Sequence, residues 1–157
     1  MKIKNIWKTL LSVSIASTAY AEDEATKGLL FKPAIIVKDK ATFDYIRDMQ
    51  YLNETNHSQA LDNAVSNTGM QSFESLKQSC YLEGAANTSL DFLNKNIQFV
   101  NPKYSKLTIS ATNRNIDKAK KINFGRCGEV SNILKKQFEV DSKVIQQELI
   151  NQLMNKK

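Results

Sequence analysis

The chain has 157 residues, of which 41% are hydrophobic and 24% are charged, and only five are Gly and two Pro. So few glycines and prolines argue against a disordered chain and against a β-sandwich with many turns. The length is sufficient for one hydrophobic core, and the formal net charge of +6 makes the protein basic as a whole.

The first 21 residues have the order of a secretory signal peptide. Three lysines precede an uncharged, largely apolar run from residue 9 to 19, and Ala19 and Ala21 are the small residues that a signal peptidase reads. The run is too short for a permanent membrane anchor, and no later segment predicts a transmembrane helix. We therefore expect cleavage after Ala21 and a bacterial protein of the periplasm or the exterior, with residues 22–157 forming a single helical domain.

Charge is unevenly distributed along the expected mature chain. Three of the 22 basic residues lie in the leader, which leaves 19 against 16 acidic residues. Residues 22–102 hold 7 basic and 11 acidic side chains, whereas residues 103–157 hold 12 and 5. The basic residues are densest between 103 and 126, where Asp117 alone opposes them. The candidate partner-binding residues are Lys118, Lys120, Lys121 and Arg126.

This basic segment predicts a surface for an acidic partner protein, with anionic lipid or cell-wall polymer as alternatives. The competing interpretation is a solvated face whose charge is compensated by the acidic half of the chain. Nucleic acid is a poor partner for an exported chain, and aromatic residues are sparse among these lysines.

Two cysteines, Cys80 and Cys127, remain after the leader, 47 positions apart. In an oxidising compartment an isolated pair favours a disulfide. Redox sites usually place their thiols as Cys-x-x-Cys, and two distant cysteines with one histidine are too few for a zinc site. The sequence therefore predicts a structural disulfide, no metal site and no cofactor.

Helical periodicity dominates the mature chain after a short extended start. The apolar, β-branched run 29–37 predicts extended chain lying on the core. Asp39 predicts the cap of a first helix, which the polar residues 53–56 interrupt. Ser58 caps a short second helix that ends near Gly69.

Two further helices are expected before the basic segment. The third covers about 71–83 and stops at Gly84, and it places a cysteine on its apolar stripe. The fourth begins at Thr88 with a capping-box pattern and ends at Asn101, because the proline that follows disfavours helix. Residues 103–112 fit both a strand and a helix, and the sequence leaves both open.

The remaining elements are a helix over 113–123, a tight turn at 125–128 and a helix over 130–138. Asp141 or Ser142 then caps the last helix. The predicted fold is mainly α: a compact single-domain bundle of about five to seven helices with a short extended N-terminal segment and one disulfide.

No known catalytic motif is present, so no catalytic residue is assigned. The sole histidine, His57, lies in a polar run and is expected to be an exposed loop residue. Carboxylate pairs such as Glu74 with Glu83, or Glu83 with Asp91, leave a glycosidase-like site open, since only the fold sets their separation.

These patterns predict an exported, non-enzymatic helical protein that binds another protein. It would act as an immunity or inhibitor protein, or as a subunit of an envelope secretion or conjugation apparatus. The alternatives are a cell-wall-active enzyme without a sequence motif and a carrier of a small apolar ligand.

Overall fold

A computed structural model describes residues 34–154, apart from the side chains at positions 104, 150, 153 and 154. The predicted leader and the first part of the apolar run 29–37 lie outside the described residues. Within 34–154 the chain forms four α-helices and no strand, so the mainly helical prediction is confirmed, whereas five to seven helices is wrong. The elements are α1 (Lys40–Thr68), α2 (Phe73–Lys95), a 3-10 turn (Ile97–Phe99), α3 (Pro102–Asn123) and α4 (Cys127–Met154).

The described residues divide into two compact units, 34–130 and 131–154. The first unit contains α1, α2, α3 and the start of α4, and the second contains the rest of α4. In the first unit α2 packs against both α1 and α3.

The predicted break at residues 53–56 does not occur, because α1 continues through it. Glu54 in this stretch is only 5% exposed, and its Oε1 accepts a hydrogen bond of 2.6 Å from Asn115 Nδ2 of α3. Intrinsic helix propensities differ by only tenths of a kcal/mol for such residues, so a tertiary contact of this kind outweighs them.

The predicted stop at Gly84 is also wrong, since α2 runs through it. Gly84 is buried, and Thr88 does not cap a new helix: its Oγ1 donates to the Gly84 carbonyl at 2.9 Å, one turn back in the same helix. Glycine costs about 1 kcal/mol inside a helix, and the packing of α2 against α1 and α3 outweighs that cost.

Two further boundaries differ from the sequence prediction, and one segment that it left open is now assigned. Residues 103–112, which were open, are helical and continuous with 113–123 in α3. Cys127 begins α4 instead of lying within a turn, so the turn is limited to residues 124–126. Asp141 and Ser142 lie inside α4, where the sequence placed a cap.

Two of the predicted helix ends, at Asp39 and Gly69, are confirmed, whereas Ser58 lies inside α1 and caps no helix. Asp39 Oδ1 accepts from the Thr42 N–H at 2.8 Å at the start of α1. Gly69 ends that helix with φ 85°, the left-handed side of the map that glycine enters at low cost. The fourth predicted helix was expected to end at Asn101, but α2 ends at Lys95. Asn101 instead caps the start of α3, with Pro102 as its first residue, a helix start that the sequence analysis did not predict.

Two clusters of buried apolar residues hold the first unit together. In one, Phe43 of α1 stacks on Phe92 of α2, with ring centroids 5.3 Å apart. The other joins one residue each of α1 and α2 to two of α3. The buried members are Val37, Phe43, Phe92 and Leu93 in the first cluster and Leu61, Leu82, Ala119 and Ile122 in the second.

A fully buried asparagine fixes the segment 34–39 to the end of α2. Asn96 Oδ1 accepts from the Val37 N–H at 2.8 Å, and its Nδ2 donates to the Ile35 carbonyl at 2.9 Å. One side chain therefore satisfies the backbone of an extended segment as a neighbouring strand would.

In the second unit, α4 is one continuous helix with several exposed aliphatic side chains, at positions 133, 140, 144, 145 and 149. Across residues 34–154, no helix combines the length and the apolar character needed to cross a membrane.

Candidate functional site

The predicted basic residues cluster where α3 ends and the chain turns into α4. Lys120 and Lys121 are exposed in the last turn of α3. Arg126 is exposed as well, and its Nε lies 2.9 Å from Glu129 Oε2 in the first turn of α4. We refer to residues 120–126 as the basic turn.

Lys118 differs from these three cations. Its Nζ lies 2.7 Å from Asp62 Oδ1 and donates to Ser58 Oγ at 3.0 Å, and its side chain is 34% exposed. Because both partners belong to α1, this lysine ties α3 to α1 and its charge is already matched.

A phenylalanine that the sequence analysis did not single out projects from the basic turn. Phe124 is 74% exposed and adopts a left-handed backbone conformation with φ 50°, followed by Gly125 with φ 77°. Outside glycine, Asn and Asp, residues with positive φ are uncommon, and a bulky one is an outlier. Glycine usually occupies the position directly after a helix. An aromatic residue in that position is the sequence signal that could have identified Phe124.

A buried polar side chain holds the basic turn from below. Asn123 is fully buried, and its Nδ2 donates to Glu83 Oε2 of α2 at 2.7 Å. Its Oδ1 accepts from the Gly125 N–H at 2.9 Å, and its carbonyl accepts from the Arg126 N–H at 2.9 Å. Three bonds to one residue thus fix the path of the turn.

The predicted disulfide is present at the base of the turn. The Sγ atoms of Cys80 and Cys127 are 2.10 Å apart and their Cα atoms 5.4 Å apart. Cys80 is only 1% exposed, in the middle of α2, while Cys127 is partly exposed and its Sγ lies 3.8 Å from Glu83 Oε2. The bridge therefore ties the chain directly after the basic turn to the core.

A shallow groove of about 420 Å³ lies along the solvent side of α3, next to the 3-10 turn. Ile97 and Ile109 supply apolar surface, and Lys106 and Arg114 supply charge, opposed by Asp117. This groove extends the basic character of α3 away from the basic turn.

The carboxylates considered for catalysis each have their own partner. Hydrogen bonds from Gln78 and Lys77 lower the pKa of Glu74, and those from Lys95 and the Ala34 N–H lower the pKa of Asp91. A glycosidase general acid requires a raised pKa instead. Among the described residues, no group of three His, Cys, Asp or Glu side chains could hold a metal ion.

His57 does not lie in a loop, and the expectation of an exposed loop residue is wrong. It belongs to α1 and is half-buried against Tyr81 of α2, with ring centroids 5.4 Å apart and planes 12° from parallel. Burial lowers the pKa of His57 below its ordinary value of 6.5.

This depressed pKa predicts an acid-dependent loss of stability. The unfolded chain takes up the proton before the folded one, so the contribution is complete above pH 6.5 and is lost as the pH falls through the folded pKa. The free energy of unfolding should therefore decrease between pH 7 and pH 5. His57→Gln, measured by urea unfolding at both values, should remove most of that decrease; an unchanged pH dependence in this variant would contradict the assignment.

Comparison with known proteins gives no match for this chain: no family model, no curated protein and no solved structure resembles it.

Proposed function

We propose that this is an exported, non-enzymatic helical protein that binds another protein through the basic turn. The exposed lysines Lys120 and Lys121 carry the proposal, with Arg126, which is paired with Glu129, close by in sequence on a segment that the core holds in place. The disulfide supports an oxidising compartment such as the periplasm or the exterior.

The positions of Lys120 and Lys121 also have a purely structural explanation, stabilisation of the end of α3. Lys120 and Lys121 lie in the last turn of α3, where cations stabilise a helix by interacting with its dipole. That effect accounts for their sign but not for the exposed aromatic ring beside them, nor for Arg126 beyond the end of the helix. A binding surface accounts for all of these features.

A fixed turn is suited to tight association. Ordering a mobile loop on binding costs free energy, and the Asn123 hydrogen bonds and the disulfide have already met that cost during folding. The positive charge of the basic turn predicts a partner with an acidic patch. This complementarity would raise the association rate more than it raises the affinity. An inhibitor or immunity protein and a subunit of an envelope secretion or conjugation apparatus both require such an interface.

Reversing the two lysines should abolish partner recovery without unfolding the protein. The tagged chain is purified from the exported fraction of its producing cells as wild type and as Lys120→Glu with Lys121→Glu, and co-purifying proteins are quantified by mass spectrometry. We expect an acidic protein to be enriched with the wild type and depleted at least about tenfold with the variant, because like charges across an interface repel strongly.

The matched control is Lys136→Glu with Lys143→Glu, which changes the net charge equally at two exposed positions of α4. It should recover the same protein as the wild type. The melting temperature of the control should stay near that of the wild type, since exposed charges contribute little to stability. Lys120→Glu with Lys121→Glu should stay folded but melt somewhat lower, because two carboxylates in the last turn of α3 oppose its dipole. Equal recovery by all three proteins, or no specific protein with the wild type, would refute the proposal.

A further inference from the structure

We infer that Phe124 is the apolar anchor of this interface, and that the partner presents an apolar pocket rimmed by carboxylates. The inference rests on the proposed function and names the chemistry of the partner.

The backbone at Phe124 is unfavourable for the residue that occupies it. A φ of 50° forces Cβ of an L-residue towards its own carbonyl, which is why glycine usually fills this position after a helix. Gly125 follows directly, with φ 77°. Folding alone would be served better by a glycine at 124, and unfavourable backbone of this kind concentrates at functional sites.

The ring contributes nothing to the core. Phe43 and Phe92 are fully buried, whereas Phe124 exposes 74% of its surface, a value that exceeds those of the other exposed large apolar side chains of the described chain. Strained backbone and exposed aromatic surface both cost stability. The backbone of Phe124 closes α3 by donating its N–H to the Lys120 carbonyl at 3.1 Å, which a glycine at this position would do equally well. Aromatic residues held in this way are typical hot spots of protein interfaces.

The groups around the ring define the partner. Lys120 and Lys121 precede it and Arg126 follows it, while Glu129 is the carboxylate that lies against Arg126. A pocket that accepts the ring would bring its rim against these cations, and carboxylates on that rim complement them.

A protein pocket fits these features better than a lipid surface does. Between residues 119 and 129, Phe124 is the single exposed large apolar side chain, because Ile122 is buried. Helices and turns that bind bilayers present a broad apolar face. One ring on a turn fixed by Asn123 is suited to a shaped cavity instead.

Site-specific photo-crosslinking tests the inference. Phe124 is replaced by p-benzoyl-phenylalanine, which keeps the aromatic ring, and in a second protein the same residue replaces Leu107, an exposed apolar side chain elsewhere on α3. After irradiation of producing cells, we expect position 124 to crosslink to one protein, at a segment that contains Asp or Glu. The yield from position 107 should be at least about tenfold lower, and Lys120→Glu with Lys121→Glu should reduce the yield from position 124 by a similar factor.

Each other outcome overturns the inference. Two outcomes would show that Phe124 is not the anchor while the proposed function stands. One is a protein that crosslinks from position 107 and not from 124. The other is the absence of any crosslink while purification still recovers an acidic partner. A crosslink from position 124 that persists after Lys120→Glu with Lys121→Glu would show that the partner's pocket has no acidic rim. Crosslinking to lipid, with co-flotation on phosphatidylglycerol vesicles, assigns the turn to a membrane. No crosslink and no recovered partner overturns both proposals.

Discussion

Replacing Cys80 or Cys127 by serine should lower the free energy of unfolding by about 2–5 kcal/mol, the usual cost of losing a native bridge in a small secreted domain. The bond links positions 47 apart, and the chain-entropy account assigns about 4 kcal/mol to a loop of that size. Cys80→Ser also places a hydroxyl where the residue is 1% exposed, so this variant should be the less stable of the two.

Urea unfolding under non-reducing conditions measures the loss. The double variant Cys80→Ser with Cys127→Ser should fall close to the worse single variant, because the bond is lost once in either case. Under the same conditions the intact wild type should have a mass two hydrogens below that of its reduced form. Single variants within about 0.5 kcal/mol of the wild type would contradict a stabilising bridge.

Asn96→Ala should lower the free energy of unfolding by about 2–4 kcal/mol. The substitution leaves the Val37 N–H and the Ile35 carbonyl without their partner, and a buried polar group that loses its hydrogen bond costs about 1–3 kcal/mol. The segment 34–39 should then detach from α2, exposing the buried side chain of Val37.

Asn94→Ala is the matched control, since Asn94 is exposed in the last turn of α2, two residues before Asn96. Its free energy of unfolding should stay within about 0.5 kcal/mol of the wild type. Hydrogen exchange provides the second measurement, because the Val37 amide should lose its protection in Asn96→Ala and keep it in the control. If the Val37 amide stays protected in both variants, Asn96 does not hold the segment.

The sequence predicted those features that depend on neighbouring residues or on elimination. Asp39 and Gly69 specify their caps by local geometry, so the start and end of α1 follow from the sequence. The disulfide follows because only two cysteines remain after the leader in an expected oxidising compartment. Local signals of this kind need no knowledge of the tertiary fold.

Errors arose where a distant partner decides the structure. The polar residues 53–56 predict a break in the helix, but the hydrogen bond between Glu54 and Asn115 of α3 keeps this stretch helical. Gly84 predicts a helix end, but the packing of α2 against two helices keeps it helical. Lys118 reads as a surface cation until Asp62 of α1 lies 2.7 Å away. Each of these contacts joins residues far apart in sequence, which a local pattern does not encode.

The basic turn combines features that the local sequence predicts with features that depend on tertiary contacts. Its charge is visible in the sequence, so Lys120, Lys121 and Arg126 could be proposed as a surface before the fold was known. The prominence of Phe124 depends on its φ of 50° and its exposure, and both are set by the hydrogen bonds of Asn123 to Glu83 and Gly125. No periodicity distinguishes this ring from an ordinary core aromatic.

Phe124→Gly separates folding from binding. Left-handed backbone costs an L-residue about 1–2 kcal/mol, and glycine loses about 0.5–1 kcal/mol more in chain entropy, so the free energy of unfolding should be unchanged or rise by up to about 1.5 kcal/mol. A loss of binding in this variant would therefore report on the ring and not on unfolding.

The most direct measurement is the amount of partner that Phe124→Gly recovers from the exported fraction, quantified beside the wild type at equal levels of folded protein. We predict a loss of at least about tenfold, because the anchor of the interface is gone while Lys120, Lys121 and Arg126 remain. A variant that folds at least as well as the wild type and recovers the same amount of partner would contradict Phe124 as the anchor of the interface.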